Sequence, residues 1–100
     1  MEAKYNDKPV NPGLEKFVAE FCDDRCNELT MMRQAFAQKD FTEISALAHK
    51  WKGFCEPYGF SSLGNYAIDI EKNCKTESVP NLQALLDEVE NYLTYKKQQT

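Results

Sequence analysis

Hydrophobic side chains recur every three or four residues along four stretches of the chain, which is the spacing of amphipathic helices. The first stretch runs from Leu14 to Lys39 without glycine or proline, after an arm marked by Pro9, Pro12 and Gly13. We expect one long helix here. Its predicted buried stripe consists of Leu14, Phe17, Val18, Phe21, Cys22, Leu29, Met32 and Phe36.

The second stretch opens at Asp40 and ends near Pro57 and Gly59. Asp40 and Glu43 have the spacing of an acidic capping box, in which the first carboxylate accepts a backbone N–H and Glu43 reaches back to the N–H of the cap. A second helix is therefore predicted from this point. Its predicted stripe consists of Phe41, Ile44, Leu47, Ala48, Trp51 and Cys55.

Two more helices follow. Ser61 or Ser62 starts the third, residues 76–78 form a link, and Pro80 suits the first turn of the fourth. The predicted stripe of the third helix is Leu63, Ala67, Ile70 and Cys74. That of the fourth helix is Leu82, Leu85, Leu86, Val89, Tyr92 and Leu93.

The predicted fold is all-α: an antiparallel up-and-down four-helix bundle, since short connections make successive helices antiparallel neighbours. No segment alternates with period two for long enough to predict a strand. One domain is expected, with an N-terminal arm over residues 1–13, the bundle over 14–96 and a frayed tail over 97–100.

The net charge and the hydropathy of the chain argue against several classes of function. The chain has 100 residues, a net charge of −4 and a pI of about 5.0, so it lacks the basic face that non-specific binding to nucleic acid or anionic membranes needs. No apolar run approaches the roughly 20 residues that cross a bilayer. The polar N-terminus is no secretory signal. We expect a cytoplasmic monomer, either free-standing or excised from a longer chain.

The four cysteines have two interpretations. Each lies in or beside an apolar stripe, where a free thiol behaves as a small hydrophobic group, so reduced structural cysteines and no metal site are expected. Alternatively, Cys22 and Cys26 share a helix face and could bind one ion, with Cys55, Cys74 or His49 completing a tetrahedral site.

The only histidine, His49, is expected to point into solvent. It is two residues from both Leu47 and Trp51, so it lies about 160° from each of these core positions around the helix. The predicted exposed face consists of Ser45, His49, Lys52, Gly53 and Glu56.

Two neighbours suggest chemistry at this histidine. Gly53, one turn on, is expected in the middle of the helix, where glycine costs about 1 kcal/mol relative to alanine, and it removes side-chain bulk beside the imidazole. Lys52 adds a cation. This arrangement suits a histidine that carries an anionic group, because imidazole is a good nucleophile near neutral pH and an ammonium stabilises a phosphoryl group. A plain surface histidine on a helical adaptor module is the alternative, but it leaves Gly53 unexplained.

The segments AHKWKG and YGFSSLGNYAIDIE resemble the histidine phosphotransfer (HPt) domain. That family shows His-x-x-Lys-Gly, a glycine ten residues after the histidine, then a leucine, a small residue and a glutamate on the next helix. In this chain the pattern falls on His49, Lys52, Gly53, Gly59, Leu63, Ala67 and Glu71. The resemblance runs from about Leu14 to Leu93, and Phe54 and Pro57 depart from the usual pattern.

The resemblance implies a phosphocarrier in a two-component phosphorelay rather than an enzyme. His49 would accept a phosphoryl group at Nε2 from a phospho-aspartate. The partners would be response-regulator receiver domains, which bring Mg²⁺ and the acidic pocket, and a hybrid sensor histidine kinase. No cofactor of the chain's own, and no autokinase activity, is expected.

The resemblance also implies roles for the neighbours of His49. Lys52 would neutralise the phosphoryl group, and Gly53 would let the receiver's loops close over the histidine. The docking patch would be bordered by Ser45, Lys50 and Glu56, with Glu71 and Lys75 on the next helix.

Overall fold

Four α-helices form an antiparallel up-and-down bundle in the computed structural model, which describes residues 5–100. They are α1 (Val18–Ala37), α2 (Phe41–Phe54), α3 (Ser61–Lys75) and α4 (Val79–Lys97). Each helix packs against the next, and α4 returns to α1. Residues 5–100 contain no strand. The predicted fold class is confirmed.

The core is made by the inward faces of all four helices. Most of the predicted stripe residues are buried, and the largest fully buried side chains include Trp51, Tyr92 and Met32. Burying each such side chain contributes about 1.5–3 kcal/mol. Phe17 is a correction, because it is 44% exposed. It lies in a 3₁₀ turn, Glu15–Phe17, before α1 begins, so the helical spacing does not apply to it.

Half of the predicted capping box is present at the start of α2. The Oδ1 atom of Asp40 accepts a hydrogen bond from the Glu43 amide at 3.1 Å. The reciprocal half is wrong, since the Asp40 amide donates to the Ala35 carbonyl at 2.8 Å. The chain turns back through Lys39, whose φ is 55°, and this turn satisfies the donor that Glu43 was expected to bond.

Helix α2 ends at Phe54, whereas the predicted exposed face of this helix extended to Glu56. Pro57 has no N–H to donate to the Gly53 carbonyl, and the chain continues as a 3₁₀ turn, Glu56–Tyr58. Gly53 is therefore the penultimate residue of α2 rather than a mid-helix residue. Glu56 lies outside the helix, so the inference that it shares the helical face of His49 is wrong.

The N-terminal arm packs across the start of α3 and the end of α4. Asp7 accepts hydrogen bonds from the Ser62 amide at 2.7 Å, from the Tyr92 hydroxyl at 2.9 Å and from Lys96 Nζ at 3.2 Å. Helix α3 has no capping side chain of its own, so Asp7 supplies an acceptor to its first turn from far along the sequence. The first four residues of the predicted arm lie outside the described range.

The ends of the bundle bear on two other expectations. Helix α4 ends at Lys97, so the first residue of the predicted tail (97–100) is the last residue of this helix. None of the helices in residues 5–100 is long and apolar enough to cross a membrane.

The four cysteines are free thiols. Burial raises the pKa of Cys22 and of Cys74 to about 11, and that of Cys55 to about 12, so these three stay protonated at neutral pH. Over residues 5–100 no three His, Cys, Asp or Glu side chains come together as a candidate metal site. Metal independence stays a prediction.

Replacing Asp7 by alanine should destabilise the bundle at pH 7. Burial alone would raise the pKa of Asp7, but hydrogen bonds from Ser62 and Tyr92 and the charge of Lys96 outweigh it and hold that pKa below its ordinary value. We expect the free energy of unfolding to fall by about 1–3 kcal/mol, because buried donors lose their acceptor. Urea denaturation as a function of pH measures this.

The difference between wild type and Asp7→Ala should be full above about pH 5 and shrink below about pH 4, as the wild-type carboxylate takes up a proton. The matched control is Lys8→Ala, which removes an exposed ion pair between the arm and Glu56 (3.1 Å) and should cost at most about 1 kcal/mol. Equal effects of the two variants would contradict the role of Asp7.

Candidate functional site

His49 projects from α2 into solvent, with 74% of its side chain exposed. Trp51, two residues on, is fully buried on the opposite side of the helix. The sequence prediction of a displayed histidine is therefore confirmed. The Nδ1 atom of His49 lies 3.4 Å from Oε2 of Glu71, on the neighbouring helix α3. A carboxylate thus lies beside one ring nitrogen, whereas Nε2 has no carboxylate partner among residues 5–100.

Glu71 connects the histidine to the lysine. Its second oxygen, Oε1, lies 2.6 Å from Nζ of Lys52, and only 17% of the Glu71 side chain is exposed. The Lys52 ammonium, followed by His49, holds the pKa of Glu71 below its ordinary value, against the opposing effect of burial. Glu71 is therefore an anion at neutral pH. The sequence named this residue as a border of the patch, whereas the structure has it at the centre.

An open groove of about 580 Å³ lies beside His49, between α2 and α3. Two predicted site residues, Ser45 and Lys75, line it. The complete lining is Phe41, Thr42, Ser45, Ala46, His49, Glu71, Cys74, Lys75 and Glu77. Apolar and charged side chains thus share one surface next to the imidazole, which suits the docking of another protein.

Gly53 leaves open space one turn after His49. A Cβ atom built on it would meet no heavy atom within 4 Å. Neither core packing nor backbone conformation therefore explains the glycine at this position. What it does provide is an approach to His49 that no side chain obstructs.

Two predicted site residues make their contacts elsewhere. Lys50 Nζ lies 2.9 Å from Oε2 of Glu28 on α1, and Glu56 pairs with Lys8 of the arm. The structure therefore brings Ser45, Lys52, Glu71 and Lys75 together around His49. It directs Lys50 and Glu56 to other partners.

A buried charged cluster beneath α2 was missed by the sequence analysis. Glu28 Oε1 lies 2.6 Å from Arg25 Nε and accepts the Trp51 indole N–H at 2.7 Å. A signal was present, because Arg25 and Glu28 occupy positions that continue the apolar stripe of α1 between Cys22 and Leu29. Charged residues at stripe positions, facing a helix with a buried tryptophan, indicate a buried polar network.

Phe54 belongs to this cluster. The guanidinium of Arg25 lies over two aromatic rings that contact each other, 4.3 Å from the centroid of Phe21 and 4.5 Å from that of Phe54. The departure from the HPt pattern at this position therefore covers a buried cation by a cation–π contact.

The site as a whole suits the transient holding of an anion. One face presents an exposed imidazole, a carboxylate beside its Nδ1 atom, the Lys52 ammonium bound to that same carboxylate, and an unobstructed approach. Over residues 5–100 the cysteines and carboxylates offer no competing metal centre.

Comparison with known proteins identifies the family. The family model described as the Hpt domain matches residues 16–99, which include all four helices and His49. No curated protein and no solved structure gave a significant match. Hpt domains are the histidine phosphocarriers of phosphorelays, and they act with receiver domains and kinases. Because the match covers most of the chain, this protein belongs to the Hpt domain family.

Proposed function

We propose that this protein carries a phosphoryl group on His49 between aspartate-bearing receiver domains of a two-component phosphorelay. The observation that carries the proposal is the contact of His49 Nδ1 with Glu71 at 3.4 Å, on a side chain that is otherwise exposed. A carboxylate at Nδ1 favours the tautomer with its proton on that nitrogen. The lone pair is then at Nε2, on a side chain that is 74% exposed.

In the proposed transfer, the Nε2 lone pair attacks the phosphorus of the receiver's phospho-aspartate. An N–P bond forms, the P–O bond to the aspartate breaks, and the aspartate leaves with the electron pair as a carboxylate. The imidazole becomes positively charged and keeps its Nδ1 proton. Glu71, ionised at neutral pH, stabilises that charge. The reverse steps deliver the group to a second receiver.

Lys52 has a second role in this proposal. In the free protein its ammonium is held by Glu71. Once His49 is phosphorylated, the same ammonium stabilises the phosphoryl oxygens as a nearby cation. Glu71 thus stabilises the positive charge of the phosphorylated ring, and Lys52 stabilises the negative charge of its phosphoryl group.

The partners supply the rest of the chemistry. The receiver contributes Mg²⁺ and its acidic pocket, so the carrier needs no cofactor, and it has no autokinase activity. Receiver docking uses the groove lined by Ser45 and Lys75. The first phosphoryl donor is a hybrid sensor histidine kinase. We expect the carrier to act as a cytoplasmic monomer.

His49→Gln should accept no phosphoryl group while staying folded, because the side chain is exposed and makes no core contact. The measurement is incubation with a ³²P-labelled phospho-receiver, followed by gel analysis and circular dichroism. Wild-type label should be lost in acid and retained in base, as expected of a phosphoramidate. Label on a folded His49→Gln variant would contradict the proposal.

Gly53→Gln should fold but transfer slowly, since its side chain would occupy the open space beside His49. A displacement of the reacting atoms by 1 Å can cost about 100-fold in rate, so we expect a drop of at least about tenfold. Gly53→Ala should keep or raise stability, by at most about 1 kcal/mol. Melting temperature and single-turnover transfer rate are measured together.

The matched control is Ala37→Gln, an exposed small-to-large change at the end of α1. It should leave the transfer rate unchanged. If Gly53→Gln unfolds, Gly53 is a packing residue. If it folds and transfers at the wild-type rate, the receiver docks on another face.

Lys52→Ala should slow transfer or shorten the lifetime of the phosphohistidine, because the phosphoryl group loses its nearby cation. The decay of label on the isolated phosphoprotein and the transfer rate measure the two effects. Lys72→Ala removes the same charge from an exposed position on α3 and serves as the control. Identical behaviour of these two variants would show that only the overall charge matters.

A further inference from the structure

Glu28 connects α1 to the segment of α2 that carries the phosphoacceptor. One of its oxygens accepts the indole N–H of Trp51 at 2.7 Å, and the other lies 2.9 Å from Nζ of Lys50. Arg25 Nε, one turn earlier on α1, completes the set at 2.6 Å. The two α2 residues that Glu28 binds are the two that directly follow His49.

Helix α2 is therefore held on two sides at the same level. Glu71 from α3 contacts residues 49 and 52, and Glu28 from α1 contacts residues 50 and 51. Four consecutive side chains are bound by two carboxylates on different helices. Such an arrangement restrains rotation of α2 about its own axis, because any rotation lengthens contacts on both sides.

A contribution to stability does not by itself explain why Arg25 and Glu28 are buried against Trp51. Arg25 and Glu28 are 7% and 9% exposed, and Trp51 is fully buried. Removing charges from water is costly, and apolar residues of similar volume often stabilise a protein equally well. Directional hydrogen bonds to a buried carboxylate, by contrast, are satisfied in only one relative orientation of two helices.

We infer that Glu28 is a positioning residue for phosphoryl transfer, which fixes the rotation of α2 so that His49 stays against Glu71 with Nε2 outward. This inference rests on the proposed function. Glu28 itself touches neither His49 nor a phosphoryl group, and acts through Trp51 and Lys50.

Even a small rotation of α2 should change the transfer rate measurably, because the His49 side chain extends away from the helix axis. Side-chain tips lie about 5–6 Å from a helix axis, so a rotation of about 10° moves a tip by about 1 Å. A misplacement of that size, caused by a change away from the reacting atoms, can slow a reaction about 100-fold. The transfer rate is therefore sensitive to rotations too small to unfold the protein.

Aromatic rings pack around Arg25, the residue that pairs with Glu28. The guanidinium of Arg25 lies over the rings of Phe21 and Phe54, and the Phe21 ring stacks on Tyr58 at 4.2 Å. Phe54 is the last residue of α2. Arg25 and Glu28 together thus contact α2 from Lys50 to its last residue, Phe54.

The test compares wild type with Glu28→Gln in single-turnover transfer from a phosphorylated receiver. Glutamine keeps an acceptor for Trp51 but loses the charge that holds Arg25 and Lys50. We expect the transfer rate to fall by about tenfold or more, while the dissociation constant for the receiver stays at the wild-type value. The imidazole resonances of His49 in ¹⁵N NMR spectra should shift.

The control for lost stability is Val89→Ala, a fully buried position on α4. It should lower the melting temperature without altering the transfer rate or the His49 resonances. If Glu28→Gln fails to fold, the double variant Arg25→Met/Glu28→Met replaces the buried ion pair by apolar side chains of similar size. It should fold and still transfer slowly.

The outcomes separate the two proposals. If wild-type protein takes no label, the proposed function fails and this inference fails with it. If wild type takes label and a folded Glu28 variant transfers at the same rate, only this inference is overturned. A weaker receiver affinity in place of a lower rate, or an equal slowing in Val89→Ala, would also overturn it.

Discussion

The burial of Trp51 is the constraint on which the displayed histidine depends. The indole is the largest fully buried side chain of the core and donates its N–H to Glu28. Since successive residues are about 100° apart around a helix, burying position 51 commits position 49 to the solvent. The burial of Trp51 on one side of α2 thus determines that His49 is exposed on the other side.

Acidic residues do much of the positioning in this molecule, although they are costly to bury. Glu28, Glu71 and Asp7 are each mostly shielded from solvent and each hold more than one donor. Hydrogen bonds and nearby cations outweigh burial, so the pKa of each stays below its ordinary value. Each carboxylate joins helices, or the arm and helices, that packing alone would orient less strictly.

The sequence predicted the four helices, most of the core and the exposure of His49, because these follow from local periodicity. It failed at the ends of helices and where a contact joins two elements. The spacing put Phe17 in the core and Glu56 beside His49, and both errors arose from extending a helix beyond its true end. The cap that Asp7 provides to α3 and the partners of Glu28 depend on which helices become neighbours. No spacing within one helix contains that information.

The role of Asp7 has a consequence for the order in which the molecule assembles. Its partners Ser62 and Lys96 are 55 and 89 residues away along the chain, and contacts of such separation form late because closing the loop costs entropy. Asp7 leaves the ribosome well before Tyr92 and Lys96 are made. Until the C-terminal helix arrives, the first turn of α3 lacks its full support. Docking of the arm thus requires α3 and α4 to be packed together already.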